Sequence, residues 1–414
     1  MLLRRAVNFR HGIVPSVHVL PTTMADLSGV WHASASRPGT GAQGPPAGGV
    51  GWTRDVAERA AIGEALERYA AAAIDLAEAA GPDATDGVLG LDDFSLFTPE
   101  QKAAPGFPHA EAFAGPVRST RVWSLGGTSR TWQVPALLVG LGGAAMGPFG
   151  HGMSTSSGLA AGTSISMALL RATQEVVERD ALMTAWGHSL PGHHVPLLEP
   201  YAGLVADRCG SALAVDITPA WSPHPVAVVC GQTPMRGRRR IAMGVACRST
   251  WEGAVDKAFL EWCQGVVFAG VFVGSRPGLR YPRPSDVRTF EDHAAHYTVH
   301  PDRWDGVPLL TPAPGSGRPR ALGSRGEDPR AELDSLTGAL SDAGVRLLWR
   351  ELTTPDLCQI GISVVRVLSP DLTPIHFDTK WPFVGGRAAD VAWRYPGLAA
   401  CAGPFPNPSP HPLG

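Results

Sequence analysis

The sequence has very little lysine and almost no net charge. Lysine occurs only at Lys102, Lys257 and Lys380, so nearly all of the positive charge belongs to arginine. The 414 residues include 35 Lys or Arg and 37 Asp or Glu, which gives a formal net charge of −2. A near-neutral chain has no strong attraction for polyanions. We therefore expect neither a nucleic acid nor a membrane surface as a partner.

Cysteine pairs and long apolar segments are missing as well. The six cysteines form no C-x-x-C pair and no Cys/His cluster at zinc spacing, so we expect free thiols, mostly buried, in a reducing compartment. The longest apolar run, from Val134 to Met146, is shorter than the ~20 residues of a spanning helix. The N-terminus lacks the apolar core of a signal peptide. These absences predict a soluble, cytoplasmic protein.

What is present is enough apolar residue to build a core, at 44% of the chain. Helical and strand-like segments alternate without regular β-α-β spacing, which favours an α+β fold over a doubly wound sheet. Helices are predicted over 54–80, within 157–190, and over 249–268 and 331–343. Strands are predicted over 14–20, 120–125, 131–139, 212–217, 226–230, 240–247, 345–351 and 362–368.

Two of the predicted helices carry the same charged pattern, E-x-x-E-R. The first copy is Glu64, Glu67 and Arg68; the second is Glu175, Glu178 and Arg179. Positions i, i+3 and i+4 share one helix face. Each copy lies among apolar residues, where charge needs a partner. An ordinary solvated Glu–Arg face would explain one copy, but two copies favour helices that face each other across a common site.

Four carboxylates with two guanidiniums suit a particular ligand. Oxygen donors are the ligands of hard cations such as Mg²⁺, which commonly bridges carboxylates to phosphates. The pattern therefore indicates a metal–nucleotide site, although the chain has no Walker loop. On the helix at 249–268, Lys257 and Glu261 are at positions i and i+4. Two interpretations are open: a weak surface ion pair, or a polar edge of the helix that faces inward.

Three other segments are weaker candidates. The glycine-rich loop 140–157 ends in Ser154-Thr155-Ser156-Ser157 and could cradle phosphate, but it matches no phosphate-loop pattern. His188, His193 and His194 are expected to be solvated loop residues. Residues 404–414, with proline at alternate positions up to Pro412, cannot form helix or central strand. They are either a frayed terminus or a stiff, extended arm of ~30 Å that positions Gly414.

Together these motifs resemble the YcaO family, and more narrowly its cyclodehydratases of azole-containing peptide biosynthesis, which include the thiopeptide and microcin types. The resemblance is carried by GGVGWTRDVAERAAIGEALERY, SSGLAAGTSISMALLRATQEVVERDALMTAW, KAFLEWCQ, the late block from Thr353 to Phe377 with Gly385-Gly386-Arg387, and the proline-rich end. It divides the chain into an N-terminal segment (1–47), a YcaO domain (48–403) and a proline-rich tail (404–414).

The resemblance implies an ATP and Mg²⁺ site and assigns its residues. It implies that the metal ligands are Glu64, Glu67, Glu175 and Glu178. It implies that Gly51, Glu64, Glu67, Arg68, Arg179, Lys257 and Glu261 contact ATP. It also implies that Arg179 contacts the phosphates as a catalytic group. As a second catalytic group we expect the Gly414 carboxylate, delivered by the proline-rich arm, to assist proton transfer.

The implied reaction is ATP-dependent cyclodehydration of a ribosomal precursor peptide. A Cys, Ser or Thr side chain attacks the preceding amide carbonyl, the amide oxygen is phosphorylated, and loss of phosphate leaves a thiazoline or oxazoline. We expect a separate leader-peptide-binding partner of ThiF-like or RRE-containing type, because few residues precede Gly48. A homodimer is also expected.

Some positions depart from the family pattern. Val50 and Ala60 stand where a lysine and a serine are frequent, Met167 where a glutamate is frequent, and Lys257 where an arginine is frequent. Two alternatives therefore remain open. One is a degenerate scaffold subunit without ATP turnover. The other is a YcaO enzyme that uses ATP to form a thioamide or an amidine.

Overall fold

The computed structural model describes residues 2–20, 29–36, 47–76, 85–115, 117–141, 153–235, 238–320 and 328–414. Within these ranges, helices pack on three separate β-sheets, which confirms the α+β fold. The α-helices are α1 (Arg54–Ala73), α2 (Pro99–Ala103), α3 (Ala110–Ala114), α4 (Ile165–Gly187), α5 (Tyr201–Ala206), α6 (Trp251–Gly274), α7 (Phe290–Val299), α8 (Pro329–Asp342), α9 (Pro355–Gln359) and α10 (Val391–Arg394).

The three sheets differ in size but each has one edge strand that matters below. The first consists of β1 (Val17–Val19), β2 (Trp31–Ala35) and β3 (Ala47–Gly51), in that order. The second has the order β11-β10-β9-β8 and comprises β8 (His193–Val195), β9 (Ser211–Asp216), β10 (Val226–Met235) and β11 (Arg238–Cys247). The third has the order β4-β6-β5-β12-β13-β7 and comprises β4 (Gly87–Val88), β5 (Ser119–Ser124), β6 (Thr131–Pro135), β7 (Leu159–Gly162), β12 (Leu348–Glu351) and β13 (Ser363–Leu368). All pairings are antiparallel except β4 with β6.

Three edge strands join three long helices. Strand β3 packs against α1 and α6, β7 packs against α1 and α4, and β11 packs against α4 and α6. Glycine permits the closest of these approaches. A Cβ on Gly49 would lie 2.1 Å from the Ala57 carbonyl oxygen of α1, and one on Gly244 would lie 2.1 Å from the Ala258 carbonyl oxygen of α6. The strands thus fix the spacing of α1, α4 and α6.

Most predicted elements are confirmed, with shifted ends. Helix α1 ends at Ala73, whereas the prediction ran to residue 80, and residues 77–80 lie outside the described ranges. Most of the glycine-rich loop 140–157, part of the loop 34–49 and part of the linker 311–330 also lie outside them. The predicted boundary between 47 and 48 falls inside β3, and the division into domains stays a prediction. Sequence reasoning missed four strands and four helices, namely β2, β3, β7, β8, α5, α7, α9 and α10.

The expectation for the three loop histidines is wrong. His188 is buried and its Nε2 lies 3.0 Å from the Ala388 carbonyl oxygen. His193 is buried, with Nε2 2.6 Å from the Arg318 carbonyl oxygen, and His194 Nε2 lies 2.9 Å from that of Leu309. Each imidazole therefore holds a distant loop in place. The reason is that the segment after α4 becomes strand β8 inside the fold instead of a surface loop.

The C-terminal tail is neither helix nor strand, as predicted, but it is not a frayed end. Trp186 of α4 donates from Nε1 to the Ser409 carbonyl oxygen at 2.8 Å. The Tyr297 hydroxyl of α7 donates to the Pro410 carbonyl oxygen, also at 2.8 Å. His411 is buried and stacks on His293 with ring centroids 3.8 Å apart. The tail is thus docked on α4 and α7.

Helix α6 is long and apolar enough to cross a membrane by composition alone. Half of its most apolar 18-residue window is buried inside the fold, as in the core helix of a globular protein. All six cysteines are free. Cys230, Cys247 and Cys263 are buried as expected, whereas Cys209, Cys358 and Cys401 are exposed.

Candidate active site

The first acidic pair is positioned by helix α1 and two strand edges. Thr53 begins α1, and its hydroxyl accepts a hydrogen bond from the Val56 amide at 3.3 Å. About three turns later, Glu64 accepts from the Gly48 amide of β3 at 2.7 Å. Glu67 accepts from the Ala161 amide of β7 at 2.8 Å. Each carboxylate therefore has one oxygen fixed by an edge-strand N–H.

The second acidic pair is positioned by α4 in the same way. Glu178 accepts from the Cys247 amide of β11 at 3.1 Å. Arg179 extends between the two carboxylates, with Nη2 3.4 Å from Glu175 Oε1 and 3.5 Å from Glu178 Oε1. The guanidinium thus sits where the sequence pattern predicts a cation. The predicted E-x-x-E-R face points into the protein and not into solvent.

Helix α6 adds a third charged pair. Lys257 Nζ lies 3.0 Å from Glu261 Oε1, and Glu261 accepts from the Val245 amide of β11 at 3.4 Å. Burial acts to raise the pKa of Glu261, but the nearby Lys257 and Arg179 hold it below its usual range. Of the two readings of this pair, the structure supports the inward polar edge.

These helices form one electrostatic cluster. Burial, opposed by the Ala161 amide and aided by Glu175 and Glu64, raises the pKa of Glu67 to about 8. Burial, opposed by Arg179 and aided by Glu261, raises the pKa of Glu178 to about 8. Glutamates on different helices thus raise one another's pKa, as like charges do when they lie close together. The sequence-predicted residues of α1, α4 and α6 are therefore brought together.

The donor atoms of this cluster fit a bound cation. Buried carboxylates with raised pKa values, all oxygen donors, are suited to Mg²⁺. Within the described ranges, however, no three acidic, histidine or cysteine side chains are close enough to enclose a metal ion. The glutamates surround the site from different helices, so ligation requires a second set of oxygens or small side-chain movements. Phosphate oxygens are the usual complement.

The remaining predicted residues occupy three different places. Arg68 pairs with Glu64 on the same helix. Gly51 is buried at the end of β3, where a Cβ would lie 2.6 Å from a Val56 methyl carbon. Gly414 is exposed, and a Cβ on it would lie 2.5 Å from the Ala294 Cβ of α7. Among the described residues, no ion pair involves Gly414.

Two functional candidates were missed by sequence reasoning. Arg366, in the centre of β13, is 3% exposed and electrostatically close to Glu175. His411 of the tail is close enough to Arg179 that the guanidinium helps to lower its pKa, after burial and the neighbouring histidines. Neither residue belongs to a repeated pattern, so the sequence alone carried no signal for them.

Comparison with known proteins identifies the family. The family model described as YcaO cyclodehydratase, ATP- and Mg²⁺-binding, matches residues 48–373. The chain belongs to the YcaO family. ATP and Mg²⁺ are the ligands that this family description names, which confirms the predicted cofactors. The family also assigns the chain to enzymes of cyclodehydratase type. No curated protein matches the chain.

Solved structures show the same fold at low identity. A heterocyclase in complex with substrate and cofactor has a TM-score of 0.75 and 20% identity, covering 98% of this chain and 56% of that one. YcaO from Methanopyrus kandleri bound with AMPPCP and Mg²⁺ has a TM-score of 0.62 and 17% identity, covering 90% and 89%. The E. coli microcin synthetase McbBCD complex has a TM-score of 0.61 and 14% identity, covering 88% and 90%. This YcaO chain therefore spans only about half the length of the heterocyclase.

Proposed function

We propose that this YcaO protein is an ATP-dependent cyclodehydratase that converts Cys, Ser or Thr residues of a ribosomal precursor peptide into thiazolines or oxazolines. The observation that carries the proposal is the cluster on α1, α4 and α6. Its carboxylates are fixed by N–H groups of three different sheet edges, so five glutamates and Arg179 converge without a phosphate-binding loop. Such an arrangement is built to neutralise a polyphosphate through a metal ion.

The roles of the side chains follow from their positions. Glu64, Glu67, Glu175 and Glu178 are the metal-binding residues, and they surround the site from two helices. Arg179 balances the charge of Glu175 and Glu178 and is the residue that contacts the phosphates in this proposal. Lys257 and Glu261 close the side formed by α6, while Gly51 and Arg68 border the nucleotide site. Preorganised charge of this kind lowers a barrier without reorganisation during the reaction.

When bound, ATP supplies the phosphoryl group that turns the amide oxygen into a leaving group. The chain contributes positioning and charge neutralisation, as is general in phosphoryl transfer. The buried setting also excludes water, since Glu178 and Arg366 are at most 5% exposed. Exclusion of water is consistent with transfer to a peptide oxygen instead of hydrolysis.

The structural neighbours support the proposed substrate and partner. A structural neighbour contains substrate and another is a multi-protein microcin synthetase complex, which supports a peptide substrate presented by a partner protein. We propose a leader-peptide-binding partner of ThiF-like or RRE-containing type, and a homodimer acting in the cytoplasm. The homologous fold is shared by these complexes at 20% identity or less.

Mass spectrometry tests the reaction directly. The protein is incubated with a candidate precursor peptide, ATP, Mg²⁺ and the candidate partner. The proposal expects the peptide to lose the mass of one water per ring, with ATP consumed in proportion. A gain of sulfur in place of oxygen would indicate thioamide formation and would overturn the azoline assignment.

A scaffold without turnover is the second candidate. It is favoured by Met167, which stands near the start of α4 and whose sulfur is paired with the Thr163 hydroxyl, and by Val50, which is buried in the apolar core. Neither side chain can contact phosphate by charge. The two candidates differ in ATP consumption with a complete set of partners: an enzyme consumes ATP in a precursor-dependent manner, and a scaffold does not.

A further inference from the structure

A small cavity lies beside Arg179, and none of the glutamates of the acidic cluster lines it. Its volume is about 50 Å³, several times the roughly 10–15 Å³ that one water molecule requires. Arg179 and Arg366 line it, together with the hydroxyl-bearing residues Ser157, Ser369 and Thr373. The cavity therefore combines two cations with hydroxyl groups, and no acidic residue lines it.

The described residues around Arg366 do not satisfy all of its hydrogen-bond donors. Its Nε and Nη1 are buried and, within the described part of the chain, have no hydrogen-bond partner. Burial lowers the pKa of Arg366 to about 10, and Glu175 is the neighbouring charge that opposes the shift. A buried guanidinium with unpaired N–H groups is destabilising unless a ligand completes it. Arg366 therefore looks unsuited to a purely structural role.

Arg179 and Thr373 show the same incompleteness at the same cavity. Arg179 uses Nη2 for Glu175 and Glu178, while its buried Nε has no partner in the described structure. The Thr373 hydroxyl is buried and likewise unpartnered, although its amide donates to Asp180 Oδ1 at 2.8 Å. Three residues with unpartnered polar atoms, Arg179 of α4, Arg366 of β13 and Thr373 of the segment after β13, thus line the same cavity.

We propose that Arg366, with Arg179 and Thr373, forms a cradle for the phosphoryl group after it has left ATP, and holds it as phosphate until the ring is complete. The proposal deepens the proposed function and rests on it. The ligand class is a tetrahedral phosphate anion. Arginine forks are well matched to such an anion because they donate in parallel pairs.

The chemistry assigns the cradle to the second half of the reaction. First, the side-chain S–H or O–H loses its proton as it attacks the carbonyl carbon, the amide oxygen forms a bond to the γ-phosphorus, and the bond from that phosphorus to ADP breaks. Next, the amide nitrogen loses its proton and forms C=N, while the C–O bond breaks with its electron pair on phosphate. Peptide and ATP give azoline, ADP, phosphate and one net proton. Arg366 neutralises the charge that develops on the departing oxygen.

Phosphate binding to the full-length protein tests the cradle without turnover. Melting temperature is measured against increasing inorganic phosphate, with chloride at matched ionic strength as the reference. We expect a saturable rise for the wild-type protein. Arg366→Met should weaken phosphate binding about 10- to 100-fold, the loss expected for a charge-assisted hydrogen-bonding group. Without phosphate, the same variant should melt no lower than wild type, since it removes an uncompensated buried charge.

Arg350→Met is the matched control. Arg350 is the direct cross-strand neighbour of Arg366, but it does not line the cavity and donates from Nη1 to the Arg121 carbonyl oxygen at 2.9 Å. Its phosphate response should equal that of wild type. If Arg366→Met does not fold, Arg366→Lys decides, because a point charge cannot replace the fork; unchanged phosphate affinity in that variant overturns the proposal. Absence of a saturable response in wild type overturns it too.

Failure of the cradle can be told apart from failure of the proposed function. Phosphate binding that depends on Arg366, in a protein that never cyclises a precursor, sinks the proposed function alone. Cyclisation at the wild-type rate by Arg366→Met, with phosphate binding unchanged, sinks the cradle alone.

Discussion

Asp180 of α4 and Arg394 of α10 form an ion pair that is entirely buried. Arg394 donates from Nη2 to Asp180 Oδ1 at 2.6 Å and from Nε to Oδ2 at 2.8 Å, and both side chains are 0% exposed. Asp180 directly follows Arg179 and also accepts from the Thr373 amide. Asp180 therefore connects the helix of the acidic cluster both to α10 and to the segment after β13, where Thr373 lines the cavity beside Arg179.

The first prediction concerns this pair. Asp180→Asn should destabilise the fold by about 3–5 kcal/mol, because the Arg394 charge is then left buried without its counter-ion. Urea unfolding measures the loss. Asp334→Asn is the control, since Asp334 pairs with Arg330 at the surface, where such pairs contribute less than about 1 kcal/mol. Equal effects of the two substitutions would contradict the importance of the buried pair.

The second prediction concerns pH and Mg²⁺. The folded pKa of Glu67 is raised to about 8 from a usual value of 4.5, so between these values the folded state binds more protons than the unfolded state. The free energy of unfolding of the metal-free protein should therefore fall as pH rises through this window. Mg²⁺ binding should tighten over the same range and release protons.

Calorimetry in two buffers of different ionisation enthalpy counts the released protons. Glu67→Gln should release fewer protons and flatten the pH dependence of stability. Proton release that is the same for Glu67→Gln and wild type would show that Glu67 does not titrate with metal binding.

The third prediction concerns turnover. Glu178→Gln keeps an acceptor for the Cys247 amide but removes the charge, and we expect precursor cyclisation to fall by about 10²–10³-fold, the scale for one preorganised electrostatic group. Glu58→Gln is the control, since Glu58 lies on α1 but pairs with Arg4 and Arg54 away from the cluster. Wild-type ATP consumption and cyclisation in Glu178→Gln would contradict the role proposed for Glu178.

The fourth prediction concerns tail docking. Tyr297→Phe leaves the Pro410 carbonyl oxygen without its donor, which should cost about 1 kcal/mol and raise amide hydrogen exchange in residues 407–414 first. Tyr281→Phe is a suitable comparison, because the Tyr281 hydroxyl donates to Asp292 and not to the tail. Faster exchange in the tail of both variants would mean that the Tyr297 contact is not what secures it.

Local sequence patterns predicted much of this site. The contacts between residues far apart in the sequence could not be predicted from them. Glu64, Glu67, Glu175 and Glu178 were found because helical spacing is visible within five residues. Their orientation was confirmed only by the fold, since the N–H donors come from other elements. Strands β3 and β7 are short and small-sided, so neither alternation nor branched residues indicated them. Glycine there serves close packing instead of a turn.

Long-range contacts explain the remaining misses. Asp180 and Arg394 are 214 positions apart, and a single arginine in an otherwise apolar strand, such as Arg366, has no periodic partner. The histidine error has the same origin. His188 sits just past α4 in sequence, but the carbonyl oxygen that it contacts belongs to Ala388, which no local rule could supply.

The hydrogen bonds between the glutamates and the strand edges determine which substitutions remove only the charge of a glutamate. An uncovered edge exposes a row of N–H and C=O groups that another molecule can join by strand addition. Here Gly48, Ala161 and Cys247 are covered by carboxylates. Because these edges also pack against α1, α4 and α6, alanine at any of the covering glutamates would leave a strand N–H without its acceptor besides removing a charge, whereas glutamine keeps the acceptor and isolates the electrostatic effect.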